Sequence, residues 1–368
     1  MITAAESSTA LEDRLAAWGG HAVVSRYDVR TGTWIFIALH DPTLGPPTGG
    51  TRIKTYPSPA DALTDALRLA EGMTAKWAVV GVPFGGGKAV LAPPGPLPEG
   101  ERLALLRRYG ELVESLRGGF VTGEDLGTTP EDMRVVAGAT RYVLGGHGGA
   151  TPTDPGPFTA HGVAAALAAT LAHLDGDPDV AGRRIAIQGI GDVGMPLARR
   201  LRAAGATLVL ADVDAGRVRT LASELGAEVV APEAVYDVPC DVFAPCAVGA
   251  VLNPDTIPRL ACRAVCGSAN NQLAADTDAE HLLRRGILYA PDYVANAGGA
   301  IAFARLSQEP GAGRDDLFHI VGSIRGILDE ILAEAAERGE SPLHAARRRV
   351  ERTLAAGAPD RAGQEPAA

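Results

Sequence analysis

The sequence predicts a two-domain α/β chain with a helical C-terminus, and three observations carry that prediction. Short apolar segments alternate with longer amphipathic ones twice, once on either side of residue 150. That alternation is the mark of strands and helices in layers. Between the two runs, residues 145–157 (GGHGGATPTDPGP) are rich in glycine and proline, which break both periodicities. The 368 residues suit two domains of about 150 each. The expected organisation is an N-terminal α/β domain over 1–149 and a second α/β domain over 150–314. Helices over about 315–356 are expected to pack back on the first domain, and 357–368 form a disordered tail of Ala, Gly and Pro.

Taken in order, Ala10 to Trp18 reads as a short amphipathic helix. Ala22 to Tyr27 and Trp34 to Leu39, separated by Arg30-Thr31-Gly32-Thr33, read as a β-hairpin. Ser58 is an N-cap residue type ahead of a helix from about Pro59 to Ala75, with Leu63, Ala66, Leu67 and Ala70 on one face. Strands are expected at Val79 to Val82 and Ala89 to Leu91, around Gly85-Gly86-Gly87. A helix (about Glu101 to Leu116), a strand (Gly119 to Thr122) and a helix after Pro130 follow. Beyond the linker, where His147 reads as a solvated loop residue, come a helix to about His173, a strand at Arg184 to Gln188, a helix to about Ala204 and a strand at Thr207 to Ala211. Short strands are expected near Val229, Val242 to Ala244, Ala264 to Cys266 and Ile287 to Tyr289. Helices from about Asp315 to Glu337 and Pro342 to Leu354 end the pattern; Arg347 to Arg349 read as a solvated helix face.

Composition excludes several classes. The net charge of −10 argues against nucleic acid or an anionic membrane as partner. No apolar run reaches the roughly 18 residues of a membrane helix; the longest candidate, Phe158 to Leu174, holds His161 and His173. The N-terminal segment has neither a basic start nor an apolar stretch, so no secretion signal is visible and a cytoplasmic location is expected. Cys240, Cys246, Cys262 and Cys266 lack zinc spacing and sit on or beside apolar strands, so they read as small buried side chains and no metal is expected. One imbalance is sharper: of 34 basic residues only Lys54, Lys76 and Lys88 are lysines. Where a bare positive charge suffices this chain uses arginine, so a lysine calls for its own reason. Burial or a neighbouring cation brings a lysine toward neutrality, whereas arginine stays charged.

Gly189-Ile190-Gly191-Asp192-Val193-Gly194 is a full G-x-G-x-x-G, entered by the strand RRIAIQ and left by an amphipathic helix. The first glycine makes a tight turn, the second lets backbone approach a pyrophosphate, and the third permits close helix–strand packing. Phosphates then sit at a helix N-terminus, whose free N–H groups favour anions. The next strand ends at Asp212, about 20 residues on, where an acid holds the adenosine ribose and repels a 2′-phosphate. A Rossmann-type domain binding NAD rather than NADP is expected. The run before Lys88 is not a triphosphate P-loop: Val82 stands at its first glycine and Ala89 at its hydroxyl position.

Lys88 follows three glycines, which suggest that backbone there comes close to a bound small molecule, and Lys76 lies twelve residues earlier. Two lysines at one pocket lower each other's pKa, leaving one neutral as a base and one cationic for a carboxylate. Glu124-Asp125 supply carboxylates for a proton relay, or simply cap the following turn.

These residues carry a resemblance. Gly49 to Leu91 (GGTRIKTYPSPADALTDALRLAEGMTAKWAVVGVPFGGGKAVL) resembles the first domain of the amino acid dehydrogenases acting on glutamate, leucine, phenylalanine and valine. So do VTGEDLGTT, IQGIGDVG, DVFAPCAVGAVLN, CGSANNQL and ILYAPDYVANAGGAI, in the family's order. The resemblance implies reversible, NAD-dependent oxidative deamination of an L-amino acid to its 2-oxo acid and ammonia, by a homo-oligomer. It implies Lys88 as the general base, Asp125 as its proton-relay partner, and Lys76, on G-M-T-x-K with Met73, as the group that binds the substrate carboxylate. Thr159 and Asn270 match positions near the nicotinamide, Ala247 and Val248 line the cofactor cleft, and Asn296 lies beneath the substrate. Lys54 has no family role and reads as a surface or entrance residue. Hydride transfer needs a dry cleft, and linkers near 150 and 300 would let it close.

Substrate choice rests on four positions. Glutamate enzymes of the family carry a lysine before the Gly-Gly of the first motif; here Thr48 precedes Gly49, which disfavours glutamate. Gly123 and Ala300 leave side-chain volume for a bulky substrate, although Phe303 can refill it. A methylene is worth only about 1 to 3 kcal/mol in such a pocket. A hydrophobic amino acid is expected, phenylalanine and leucine level, with valine or tryptophan as alternatives. A regulatory homologue that binds NAD without chemistry would show damage at Lys76, Lys88 or Asp125, and a hydroxy-acid dehydrogenase would place a histidine in a matching motif; neither feature is present.

Overall fold

The structure is a computed structural model that describes residues 8–144, 154–309 and 311–357. It divides into two units, one of residues up to Leu144 together with Arg352–Gly357, the other of Asp154–Glu351. The expected boundary at 149, His147 and the expected tail past Gly357 lie outside the described residues.

In the first unit α1 (Ser8–Trp18) precedes a hairpin of β1 (Ala22–Asp28) and β2 (Thr33–Leu39), antiparallel from Ala22↔Leu39 to Asp28↔Thr33. Then comes β3 (Pro47–Ile53), a strand absent from the sequence reading because Pro-Thr-Gly-Gly hides any alternation. The helix α2 (Pro59–Val79) begins on Ser58, whose hydroxyl accepts from the Asp61 amide at 3.2 Å. It runs past the expected Ala75 to Val79, so Lys76 lies in its last turn. The strand expected at Val79 to Val82 is instead the end of this helix and a turn, with Gly81 at φ +70°. The glycines belong to the next strand, β4 (Gly85–Ala92). The unit continues with α3 (Glu99–Ser115), β5 (Val121–Glu124) and α4 (Pro130–Ala137), the last opened by a capping box of Thr129 and Asp132.

The sheet order is β1-β2-β4-β3-β5, antiparallel as far as β4 and parallel from β4 through β3 to β5. Successive strand residues face opposite sides, and both sides are covered. Ile35, Ile37, Ala89 and Leu91 pack with Leu105, Leu106 and Tyr109 of α3 and Met133 of α4. Phe36, Ala38 and Val90 pack with Leu63, Ala66, Leu67 and Ala70 of α2. Lys88, two residues before Val90, and Arg52, paired with Val90 in the register, therefore fall on the α2 side. A Cβ on Gly86 would lie 1.9 Å from Thr74 Oγ1, and one on Gly87 would lie 2.8 Å from the Phe120 ring. The glycine run is buried and admits α2 and Phe120 against the strand.

The second unit contains α5 (Gly156–Asp175), β6 (Arg184–Gln188), α6 (Gly194–Ala203), β7 (Thr207–Ala211), α7 (Ala215–Leu225) and β8 (Glu228–Val229). There follow β9 (Cys240–Pro245), β10 (Cys262–Val265), α8 (Thr277–Arg284), β11 (Leu288–Tyr289), α9 (Asp292–Ala295) and α10 (Gly298–Gln308). Its sheet is parallel throughout, in the order β11-β10-β9-β6-β7-β8. Strand order reverses between β6 and β9, the switch point at which doubly wound sheets bind dinucleotides. The helix expected from Asp315 to Glu337 is two, α11 (Arg314–Val321) and α12 (Ile324–Arg338), followed by α13 (Pro342–Gly357). Both α11 and α12 pack on α5, with Phe318 against Phe158 at 4.8 Å between ring centres and Val321, Ile324 and Leu328 buried. The residues of α11 and α12 group with the second unit, and those from Arg352 to Gly357 with the first. Among the described residues no helix is long and apolar enough to cross a membrane.

Candidate active site

The strand β4 sets Lys88 opposite Ala38 of β2, with its side chain 5% exposed. Asp125 stands one residue past β5, and its Oδ1 lies 2.8 Å from Lys88 Nζ. Its other oxygen, Oδ2, accepts from Arg52 Nε at 2.9 Å, while the Asp125 amide donates to Thr128 Oγ1 at 2.9 Å. Arg52 also donates from Nη1 to Asp65 Oδ2 at 2.9 Å, and Tyr56 donates its hydroxyl to that same oxygen at 2.6 Å. Burial pushes the Lys88 amine down from its ordinary pKa; Asp125 pulls it back up and Arg52 presses it down again. Burial alone would raise the Asp125 carboxyl, but Lys88 and Arg52 beside it outweigh burial and hold it well below the usual carboxylate range. A buried amine brought toward neutrality against an ionised carboxylate is equipped to accept a proton and be steadied once it holds one. Arg52 and Asp65 were not legible in the sequence. The lysines stand out by rarity, whereas Arg52 is hidden among 31 arginines; the signal was its place directly after Gly49-Gly50-Thr51.

The expected substrate residues of this unit fall nearby in the chain but differ in access. Lys76 and Met73, in the last turns of α2, are half-buried. A Cβ on Gly49 would lie 1.8 Å from the Gly87 carbonyl and 3.3 Å from Met73 Cγ, so this glycine lets β3 approach β4. Thr48 is fully buried; its hydroxyl donates to the Pro46 carbonyl at 2.8 Å and its own carbonyl accepts from Trp77 Nε1 at 2.9 Å. Its polar groups are thus engaged by protein. Gly123 is buried, and the space its missing Cβ leaves borders Leu144 at 3.6 Å, a residue the sequence reading did not single out. Lys54 is exposed, with Nζ 5.1 Å from the centre of the Tyr56 ring.

In the second unit the three loop glycines have three separate local constraints. Gly189 takes φ +95° and a Cβ there would lie 2.7 Å from Ala247; a Cβ on Gly194 would lie 1.9 Å from the Gly189 carbonyl. A Cβ on Gly191 would meet nothing within 4 Å, which leaves bare backbone beside open space. That fits a loop whose peptide approaches a pyrophosphate. Ile190 is buried and its amide donates to Asp212 Oδ2 at 2.5 Å, while Asp212 Oδ1 accepts from the Asp214 amide at 2.8 Å. Asp212 therefore ties the end of β7 to the glycine loop. Asp192 is exposed and Val193 half-buried. Thr159 donates to the Pro155 carbonyl at 3.1 Å and accepts from the Gly299 amide at 3.2 Å.

Ala247, Val248 and Asn270 are exposed on the segments after β9 and β10. Those two segments are joined by the Ala250 amide donating to the Asn271 carbonyl at 2.7 Å. Ala250 and Asn271 both have left-handed backbones, φ 58° and 52°, a strain of roughly 1 kcal/mol or more for a residue with a Cβ. Asn296 is buried; its Nδ2 donates to the Ser268 carbonyl at 3.1 Å and to Asn270 Oδ1 at 2.8 Å. Its Oδ1 is buried with no partner among the described residues. Ala300 and Phe303 of α10 are half-buried. Cys262 and Cys266 are buried and Cys240 and Cys246 half-buried, all as free thiols, and burial pushes Cys240 and Cys266 up to about 12.

A parallel sheet with a glycine loop at its switch point, in a chain that also carries a buried amine–carboxylate pair, has the parts that a nicotinamide-dependent dehydrogenase needs. Residues 26–142 match the family model described as Glu/Leu/Phe/Val dehydrogenase, dimerisation domain, and residues 210–308 match Glutamate/Leucine/Phenylalanine/Valine dehydrogenase. Leucine dehydrogenase of Thermoactinomyces intermedius is 39% identical over 345 residues, 92% of this chain and 91% of that one. Phenylalanine dehydrogenase of Lysinibacillus sphaericus is 41% identical over 335 residues, 89% and 86% of the two chains. The crystal structure of L-tryptophan dehydrogenase from Nostoc punctiforme matches with a TM-score of 0.79 at 38% identity, over 94% of this chain and 99% of that one. The chain belongs to the Glu/Leu/Phe/Val dehydrogenase family and is an amino acid dehydrogenase.

Proposed function

We propose that this enzyme oxidatively deaminates a hydrophobic L-amino acid, leucine or phenylalanine, to its 2-oxo acid and ammonia, with NAD⁺ as the oxidant. The observation that carries the reading is the 2.8 Å contact of Lys88 with Asp125, on an amine that is 5% exposed. Bound NAD⁺ supplies a two-electron acceptor for the hydrogen on the substrate's α-carbon. Gly191 and the N-terminus of α6 at Gly194 would hold its phosphates, and Asp212 its adenosine ribose. Thr159, Ala247, Val248 and Asn270 would lie along the nicotinamide half. Lys76 pairs with the substrate carboxylate. Lys88, as a neutral amine, accepts a proton from water as the water oxygen bonds to the imino carbon, and Asp125 stabilises the ammonium that results.

Preference for NAD⁺ over NADP⁺ is supported by the Asp212 carboxylate, which would repel a 2′-phosphate. Preference for an apolar side chain is supported by Thr48, which offers no cation and whose hydroxyl is engaged inside the protein. It is also supported by the leucine, phenylalanine and tryptophan dehydrogenases among the relatives. A homo-oligomer is supported by the match to a domain described as a dimerisation domain. Initial rates of cofactor reduction test the reading, with L-leucine, L-phenylalanine, L-tryptophan, L-valine and L-glutamate offered with NAD⁺ and with NADP⁺. The expected outcome is kcat/KM at least about tenfold higher for an apolar substrate than for glutamate, and higher with NAD⁺. A preference for glutamate refutes the pocket argument, and a preference for NADP⁺ refutes the role of Asp212.

A further inference from the structure

Four charged side chains meet on the α2 side of the first sheet. They are Lys88 from β4, Arg52 from β3, Asp65 from α2 and Asp125 from the segment after β5. Arg52 is 13% exposed, Asp65 14% and Asp125 18%, so screening by solvent is reduced and each charge is felt by the others. Arg52 reaches two acids with two different nitrogens, Nε to Asp125 and Nη1 to Asp65. Asp65 is itself fixed, by Tyr56 on one oxygen and by Arg68 on the other at 2.9 Å. Asp125 is gripped at both oxygens, by Arg52 on Oδ2 and Lys88 on Oδ1. A carboxylate held in that way cannot turn its Oδ1 away from the amine.

We propose that Arg52, anchored by Asp65, is a positioning residue for the reaction, locking Asp125 onto Lys88 and setting the charge balance that the amine experiences. The inference rests on Lys88 being the base. The largest charge effects on Lys88 come from Asp125, Arg52 and Asp65, while β2 places uncharged Ala38 opposite it. With Lys88 protonated the four groups balance, two positive against two negative. Arg52 then disfavours the ammonium and Asp65 favours it. Removing one or the other should move the Lys88 titration in opposite directions, which a merely structural pair would not do. A lysine at position 52 would keep the charge but lose the planar fork that spans both acids.

The scarcity of lysine makes the test direct. With only Lys54, Lys76 and Lys88 in the chain, ε-carbon-labelled lysine gives three NMR resonances from the holo-protein, and Lys88→Ala identifies the third. Arg52→Gln is expected to raise the Lys88 titration midpoint by about one pH unit, and Asp65→Asn to lower it by roughly half a unit to one unit. Arg52→Lys, whose added lysine contributes a fourth resonance, is expected to leave the Lys88 midpoint near that of the parent while lowering kcat about tenfold. The acid limb of the kcat/KM profile should follow the midpoint in each variant. Midpoints that stay put, or that move the same way in Arg52→Gln and Asp65→Asn, overturn the proposal. The titration needs no turnover, so a protein inactive on every amino acid would defeat the functional reading while this inference was still judged by NMR.

Discussion

Asp28 is 5% exposed and both its oxygens accept from Arg108, each at 2.7 Å. That pair, helped by the Thr31 hydroxyl, holds the Asp28 carboxyl at about 2 against an ordinary 3.8. A folded-state value below the unfolded one means stability present above the unfolded pKa and lost as pH falls through the folded one. The pH-linked part is worth about 2 kcal/mol at neutral pH and roughly half that at pH 3. Asp28→Asn should therefore lose stability to urea at pH 7, with a gap from the parent that narrows by about 1 kcal/mol at pH 3. A gap unchanged with pH would mean that Arg108 does little for this carboxyl. What the sequence showed of single residues followed from rarity. Lys76 and Lys88 stand out among 31 arginines, while Arg52 and Asp65 do not, because their meaning comes from partners 73 and 13 positions away.

At the scale of elements, the loop between β6 and α6 separates two kinds of glycine. Gly194→Ala would drive a Cβ into the Gly189 carbonyl, so it should destabilise the second unit by roughly 2 kcal/mol or more and abolish nucleotide binding. Gly191→Ala meets no protein atom within 4 Å. It should leave the melting temperature within about 2 °C of the parent, yet weaken NADH binding tenfold or more by filling space beside the phosphates. Thermal melts and NADH fluorescence titrations check both, and equal stability losses in the two variants would contradict this division of roles. The strands Arg184–Gln188 and Thr207–Ala211 were legible to the residue, because each is an apolar run with sharp polar or glycine borders. The strand β3 was not: its glycines serve the approach of β4, a tertiary demand that leaves no periodicity. Helix α7 was passed over for another reason: Val218, Leu221 and Ala222 do stand at helical spacing, behind Asp214, an N-cap accepting from the Gly216 and Arg217 amides. Arg347, Arg348 and Arg349 read as a solvated face, and the structure pairs them with Asp276, Glu334 and Glu330. Partly exposed pairs like these contribute little each.

For the molecule as a whole, alternation of strands and helices announced two α/β units but not the order of strands within either sheet. Registers such as Arg52↔Val90 and the reversal between β6 and β9 depend on contacts far apart in the chain. The apolar faces of α11 and α12 likewise signalled burial without naming α5 as the surface that covers them. The division of labour between the units is nevertheless testable as a whole: the amine belongs to the first unit and the glycine loop to the second. Replacing Lys88 by alanine and measuring turnover beside NADH affinity on the same sample is the most direct test of that amine as the base. A fall in kcat of about 10³-fold, with the NADH Kd within roughly twofold of the parent, is the predicted result. Retention of more than about a tenth of the parent kcat would contradict it.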